Sequence, residues 1–525
     1  MNKWLKVSGV FIVVLLFTQS CVAEQRKIIP APNIVVIFAD DMGYGDVSAL
    51  NPDSRIPTPN LDDMAKEGMV FTDAHTSSSV CTPSRYGLLT GRYNWRTRLK
   101  KSVLWNYRGG SLMDPKRLNL ASLLKGAGYN TAIIGKWHLG LEWGVKDGVK
   151  QPVNYNRINE EDVDFTKPFR NGPIDNGFDY FYGLNASSDM PPYVYLEQDK
   201  AVEVPTVTDG GKKFGFGRSG LSAEGLLPEH ILPDFTKKTV EYIEKQSADK
   251  PFFVYMALAA PHKPLAPTDR FKGKNILGVY GEFCMDVDYS VGQVLEALDR
   301  KGLKDNTLVI FTADNGGAHY HGAPEFEKKG HYMSHIYRGY KADIFEGGHR
   351  VPFLVRWPGS VNAGSRSDET ICLTDLFATC AEITGQTFPE TTGEDSQSLL
   401  PALKGGKMDT SKRAGIVHHS FRGTFAIRKG KWKLIFAPGS GGWGVPTDID
   451  AREQGLPDLQ LYDLEADAGE KNNLQDKYPE VVKELSLLMK NYVNNGRSTP
   501  GANQLNDDPN QFWEQLKPFM SREEK

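Results

Sequence analysis

Asn33-Ile-Val-Val-Ile-Phe-Ala-Asp-Asp41 is the stretch on which the reading of this chain turns. From Ile34 to Ala39 every residue is apolar, with no polar/apolar alternation, and the run ends abruptly in two carboxylates. A strand that is apolar on both faces is covered on both faces, as in a parallel sheet. The same grammar recurs downstream. Residues 129–135 (YNTAIIG) lead into Lys136-Trp137-His138, 251–261 (PFFVYMALAAP) into His262-Lys263, and 306–313 (NTLVIFTA) into Asp314-Asn315. A further run of this kind, VPFLVRWPG, occupies 351–359.

Helical spacing fills the intervals. Leu61, Met64 and Ala65 share one face of 59–68, and 118–128 and 232–246 follow the same rule. In 286–303, Val287, Val291, Val294, Leu295 and Leu298 form a stripe that stops at Gly302. Strands alternating with helices predict an α/β fold with a large, mostly parallel sheet flanked by helices. Ligands of such sheets bind beyond the carboxyl ends of the strands. Four strands ending in Asp-Asp, Lys-Trp-His, His-Lys and Asp-Asn therefore gather those residues along one edge.

Past residue 385 the texture changes to a smaller C-terminal α+β domain. Strands are expected at Thr424–Arg428 and Trp432–Phe436 and within 459–467, with an amphipathic helix in 478–495. The resulting layout is a catalytic domain over 28–385, the α+β part over 386–505 and an extended polar tail over 506–525. Two intervals, 141–235 and 316–340, read as long loops, and loops of that length are usually functional or disordered. Trp143, Tyr193, Tyr195 and Glu197 are rim candidates, as are His319, His321, His331 and His335; His75, His418 and His419 read as surface residues.

Composition bounds the class. The chain has 525 residues, 62 Lys+Arg against 65 Asp+Glu, 40% hydrophobic and 24% charged residues. These values exclude a disordered chain and a multi-span membrane protein, and near-neutrality gives no electrostatic case for nucleic acid as a partner. Residues 1–23 carry Lys3 and Lys6, a short apolar run and a small polar end, which is a signal peptide for export to the periplasm or cell surface. Cleavage after Ala23 leaves a secreted protein, and cleavage before Cys21 leaves a lipid-anchored one. Cys372 and Cys380, read as one helix, lie roughly 12 Å apart at helical rise, too far for a disulfide.

The chemistry concentrates in two places. Asp40, Asp41, Asp314 and Asn315 form an all-oxygen set whose carboxylates repel one another without a cation, and such a set fits calcium or magnesium rather than zinc. The competing reading is a helix cap and a turn. Cys81-Thr82-Pro83-Ser84-Arg85 places a cysteine at a helix start, where the positive end of the helix and Arg85 make an anion pocket. A buried structural cysteine is the alternative.

Cys81-Thr-Pro-Ser-Arg85 followed by Leu88-Leu-Thr-Gly-Arg92 resembles the C-x-P-x-R signature of type I sulfatases, in the alkaline phosphatase superfamily. The resemblance extends through NIVVIFADDMGYGD, GKWHLG, APHKP, FTADNGG and YKADIFEGGHRVP to AIRKGKWKLI and LYDLEADAGEKNNL. It implies that a formylglycine-generating enzyme oxidises Cys81 to formylglycine. It also implies that Asp40, Asp41, Asp314, Asn315 and the modified Cys81 bind one calcium ion. Arg85 would hold the formylglycine hydrate, Lys136, His262 and Lys341 would bind sulfate and the leaving oxygen, and His138 would act as base. The long loops at 141–235 and 316–340 suggest a site shaped for a bulky leaving group, and with export they point to a sulfated carbohydrate as substrate. A phosphate or phosphonate ester hydrolase of the same superfamily and an inactive glycan-binding lipoprotein are the competing readings.

Overall fold

In the computed structural model, which describes residues 31–105, 110–151 and 158–507 together with Met1, Trp513 and Leu516, Asn33–Ala39 is strand β1, buried at every position. The strands that follow are β2 (Met69–Phe71), β3 (Ala74–His75), β4 (Asn130–Lys136), β5 (Tyr180–Leu184), β6 (Leu196–Glu197), β7 (Lys200–Ala201) and β8 (Phe252–Ala257). They continue as β9 (Thr307–Ala313), β10 (Phe353–Arg356), β11 (Ser365–Ser367), β12 (Ile371–Cys372), β13 (Ile416–His419), β14 (Phe425–Lys429), β15 (Trp432–Ile435) and β16 (Gln460–Asp463).

Ten strands form one sheet in the order β11-β2-β10-β9-β1-β8-β4-β5-β6-β7. Its centre, β9-β1-β8-β4-β5, is parallel throughout. Ala39 lies opposite Ala313, and Phe38 and Gly135 both lie opposite Ala257. The carboxyl ends of β1, β4, β8 and β9 are thus level. Helices cover both faces, which is why these strands are apolar at nearly every interior position, Thr131, Tyr255 and Thr312 being buried exceptions. Helix Val279–Arg300, with Val287, Val291, Val294 and Leu298 fully buried, packs against helices Pro59–Glu67 and Pro228–Glu244. Each such buried aliphatic side chain contributes about 1.5–3 kcal/mol.

A second, antiparallel sheet is built from β13-β14-β15-β16. Helix Pro479–Asn494 packs on it, and Phe425, Leu461 and Met489 share a core with Trp95 from the first half of the chain.

Some expectations need correction. The run 351–359 gives β10, which pairs antiparallel with both β9 and β2. Between β9 and β10 the chain runs through residues 314–352, which hold the short helices Ala323–Lys328 and Glu346–His349, and re-enters the sheet beside β9 in the opposite sense; continuous apolarity reports two-sided burial, not direction. The interval 141–235 is not all loop: β5 joins the parallel core and the β6–β7 hairpin extends the sheet. Interval 316–340 holds the short helix Ala323–Lys328. Cys372 and Cys380 do not share a helix, because helix Asp375–Ile383 starts after Cys372 and the Asp375 carboxylate accepts from the Cys372 amide. Cys81, Cys284, Cys372 and Cys380 are all free and buried.

The tail is tied down where it is described. Asp507 pairs with Arg92 at 2.9 Å, Trp513 Nε1 donates to the Trp95 carbonyl, and Leu516 is buried. The signal segment with Cys21 lies outside the described residues. Among the described residues no helix is long and apolar enough to cross a membrane.

Candidate active site

The level strand ends deliver their residues to one buried cluster. Asp40, Asp41, Asp314 and Asn315 are each 0% exposed. The Asp40 amide donates to the Ala260 carbonyl and the Asp314 amide to that of Ala39, so the segments after β1, β8 and β9 brace one another. Asp41 (φ 69°) and His138 (φ 54°) both sit in the left-handed region, a conformation that costs a non-glycine residue energy and is retained where its surroundings fix it. These turns swing the two side chains back over the sheet edge.

Cations meet the carboxylates. Lys136 Nζ lies 2.6 Å from Asp40 Oδ2, and Lys341 Nζ 2.5 Å from Asp41 Oδ1. Arg85 donates through Nε and Nη2 to Asp314 Oδ2 at 3.1 and 2.8 Å. Asn315 Nδ2 donates to Asp41 Oδ1, and Tyr320 donates to Asp41 Oδ2. His262 Nε2 and His321 Nε2 each lie 3.7 Å from that second oxygen.

The electrostatics follow from dry burial. Burial raises the Asp40 carboxyl, but Lys136, His262 and Arg85 outweigh it and hold it below the ordinary range. Asp41 is likewise raised by burial and held well below its usual value by Lys341 and His262. Asp314 is pushed up to about 7 by burial and by the Asp40 charge, against Arg85 and Lys136. The third carboxylate is therefore the one that resists ionisation without a further positive charge. Asp40 Oδ1 and Asn315 Oδ1 are buried without a hydrogen-bond partner. Two orphaned oxygens among three carboxylates are a donor set that fits a hard divalent cation.

Cys81 opens helix Cys81–Thr90, and Arg85 stands one turn along it. Burial raises the Cys81 thiol above its usual value. His138 Nε2 lies 2.8 Å from the Leu104 carbonyl; a carbonyl only accepts, so Nε2 carries the proton and the partnerless Nδ1 keeps its lone pair. His262 Nδ1 donates to the Lys263 carbonyl at 2.7 Å, which leaves Nε2 facing the carboxylates. Burial and Lys341 lower His262 to about 4.

Above this cluster a pocket of about 260 Å³ is lined by Cys81, His262 and Lys341 together with Trp105, Asp189, Arg218, Tyr320 and Trp443. Every residue assigned to the metal or to sulfate from sequence thus lies in this pocket or directly beneath it. Trp105, Ser187, Asp189, Arg218, Phe421 and Trp443 were not legible as site residues. The length of 141–235 and the position of Lys263 beside His262 were the only signals pointing their way.

Other candidates fall elsewhere. Tyr193 stacks on Phe216, Tyr195 donates to Asp234, Glu197 accepts from Tyr180, and Trp143 packs against Phe165 and Phe169. They hold the 141–235 segment together. Of the four histidines in 316–340, His321 reaches Asp41 and His319 lines an adjoining pocket of about 430 Å³. His331 is buried against Asp46, and His335 stacks on Tyr44. His75, His418 and His419 are buried rather than exposed.

A parallel sheet with carboxylates, cations and a helix-start cysteine at its carboxyl edge defines an ester hydrolase of the alkaline phosphatase-like class. The Sulfatase family model matches residues 32–386, and the chain belongs to that family, the sulfuric ester hydrolases. It is 35% identical to the N-acetylgalactosamine-6-O-sulfatase of Bacteroides thetaiotaomicron, over 87% of this chain and 92% of that protein. It is also 35% identical to bovine arylsulfatase A, over 87% of each. A solved 6S-sulfatase structure from work on glycosaminoglycan metabolism by Bacteroides thetaiotaomicron superposes with a TM-score of 0.75 at 33% identity, covering 87% of this chain and 98% of that one.

Proposed function

We propose that this protein is an exported, calcium-dependent sulfatase that removes 6-O-sulfate from the end of a glycosaminoglycan oligosaccharide, using formylglycine at position 81. The observation that carries the reading is the pocket itself, lined by Cys81, Lys341 and His262, the last two of which also reach Asp41 in the cluster that holds the orphaned oxygens of Asp40 and Asn315. The similarity to an N-acetylgalactosamine-6-O-sulfatase supports the choice of sugar. The family match, which ends at residue 386, supports a catalytic domain over 28–385 followed by the α+β part over 386–505.

Asp40, Asp41, Asp314, Asn315 and residue 81 would hold the calcium ion, which supplies positive charge that eases deprotonation of the nucleophile. Formylglycine at 81 supplies, as its hydrate, one hydroxyl to attack sulfur and a second whose deprotonation expels sulfate. The remaining roles belong to side chains that are present. Arg85, locked to Asp314, fixes the start of the helix that carries residue 81 and balances charge beside it. Lys136 and Lys341 donate hydrogen bonds to the sulfate oxygens and offset the charge that grows on them. His138, with Nδ1 free, takes the proton of the second hydroxyl. Lys341, held cationic beside Asp41, or His262 once its Nε2 has taken up a proton, faces the leaving oxygen and protonates it.

A panel of sulfate and phosphate esters, including 6-sulfated N-acetylgalactosamine and an aryl sulfate, assayed with calcium and with chelator, tests this. Calcium-dependent release of sulfate from the sugar is expected. Turnover of phosphate or phosphonate esters alone would support the superfamily alternative. Absence of turnover on every ester would leave a glycan-binding role.

A further inference from the structure

Asp189 stands in the wall of the active-site pocket, in the segment after β5, and its side chain is 5% exposed. Its Oδ2 accepts from Arg218 Nη2 at 3.1 Å and lies 4.0 Å from Lys263 Nζ. Its Oδ1 is buried and has no hydrogen-bond partner. The flanking cations are themselves propped: the Arg218 guanidinium lies 4.8 Å from the centre of the Trp105 ring, and Lys263 Nζ 4.6 Å from that of Tyr320. Both cations are partly exposed, at 40% and 45% of their side chains, so the carboxylate lies inside them.

We infer that Asp189 is the residue that makes this pocket select a sugar, by accepting a hydrogen bond from a ring hydroxyl of the sulfated residue. This rests on the carbohydrate sulfatase reading above. Asp189 Oδ1 is buried at the pocket wall and makes no hydrogen bond there. A ligand that brings a hydroxyl to it supplies the missing donor, and one without a donor leaves it unpaired. A pyranose sulfated at O6 carries ring hydroxyls at C3 and C4, a few bonds from the sulfate. An aryl sulfate carries none there and leaves the carboxylate oxygen stranded. Sites built around a substrate hydroxyl reject analogues lacking it far more strongly than apolar pockets reject a changed shape. Arg218 and Lys263 hold the carboxylate still, which makes it a fixed acceptor.

Asp189 also contributes to the field at His262, so its removal alone would lower turnover for more than one reason. The deciding experiment is therefore a cycle between protein and substrate. The methyl glycoside of 6-sulfated N-acetylgalactosamine and its 3-deoxy and 4-deoxy analogues are assayed with wild type and with Asp189→Asn, each as the calcium-loaded protein. In wild type, one deoxy analogue should lose about 100-fold in kcat/KM. In Asp189→Asn the same deletion should cost less than about threefold, because the acceptor charge is already gone. Equal losses in both proteins on both analogues would overturn the assignment. If the variant does not fold, inhibition of wild type by the desulfated glycoside and its deoxy analogues decides: weaker inhibition by one analogue supports the contact, and equal inhibition by all overturns it. If wild type releases no sulfate from the parent sugar, the functional reading itself has failed, which is a separate outcome.

Discussion

The imidazoles of His349 and His418 lie face to face, with ring centres 3.7 Å apart and planes 7° from parallel. His75 Nδ1 meets His349 Nδ1 at 3.0 Å, and all three rings are fully buried among Asp73, Glu346, Arg350, Arg428 and Lys433. Two parallel stacked rings cannot both aim their in-plane lone pairs at one ion, so the trio is a packed neutral group rather than a metal centre. It joins β3, which pairs with β12 in a two-stranded sheet of its own, the helical turn at Glu346–His349, and β13 of the small antiparallel sheet.

That stack makes stability acid-sensitive. Burial lowers all three histidines below their usual value, with His418 and Lys433 reinforcing it at His349, and His75 and Lys433 at His418. The unfolded chain takes up protons below about pH 6.5 while the folded chain does not, so stability is lost as pH falls below that value. The slope is about 1.4 kcal/mol per pH unit for each histidine. His418→Phe should flatten the fall of thermal midpoint between pH 7.5 and 5.0. An unchanged slope would count against the histidine origin.

The metal reading predicts coupled losses. Chelation should abolish sulfate release and lower the thermal midpoint, calcium should restore both, and zinc should not. A ligand at 100 times its dissociation constant adds about 2.7 kcal/mol. Asp314→Asn should lose activity at least about 100-fold and lose the calcium-dependent shift in scanning fluorimetry. A variant that kept the shift would remove Asp314 from the ligand set.

Position 81 should not be cysteine in the active protein. Mass spectrometry of the peptide containing residue 81 should show an aldehyde in place of the thiol. Cys81→Ala should melt within a few degrees of wild type, because only a small side chain is deleted, and release no measurable sulfate. Full activity with an unmodified thiol would sink the mechanism.

Arg85 should be structural as well as catalytic. It is fully buried, bonded twice to Asp314 and also to the carbonyls of Lys136 and Leu258. Removing one partner of a buried ion pair costs about 3–5 kcal/mol, so Arg85→Ala should show a large fall in thermal midpoint together with loss of activity. Lys136 is likewise fully buried and paired with Asp40 at 2.6 Å, so Lys136→Ala should also lower the thermal midpoint while abolishing activity.

Much of this was legible because the strands carry their chemistry at their ends. Ile34–Ala39 could only be a strand covered on both faces, so Asp40 and Asp41 had to emerge at its edge. The same logic held for Lys136, His262 and Asp314. It failed for the direction of β10, since apolar continuity is the same in either sense. It failed also for Tyr193 and Tyr195, whose aromatic rings suit a rim and a core equally well, and for His75 and His418, whose burial depends on partners hundreds of residues away.

The sequence by itself determined the parallel core, the carboxylate and cation set at its edge, and the family, because each is encoded in residues adjacent along the chain. The tertiary structure alone decided which residues wall the pocket above that edge. Trp105, Asp189, Arg218, Tyr320 and Trp443 come from five separate segments with no common pattern, and only the packing of loops over the sheet brings them within reach of one ligand.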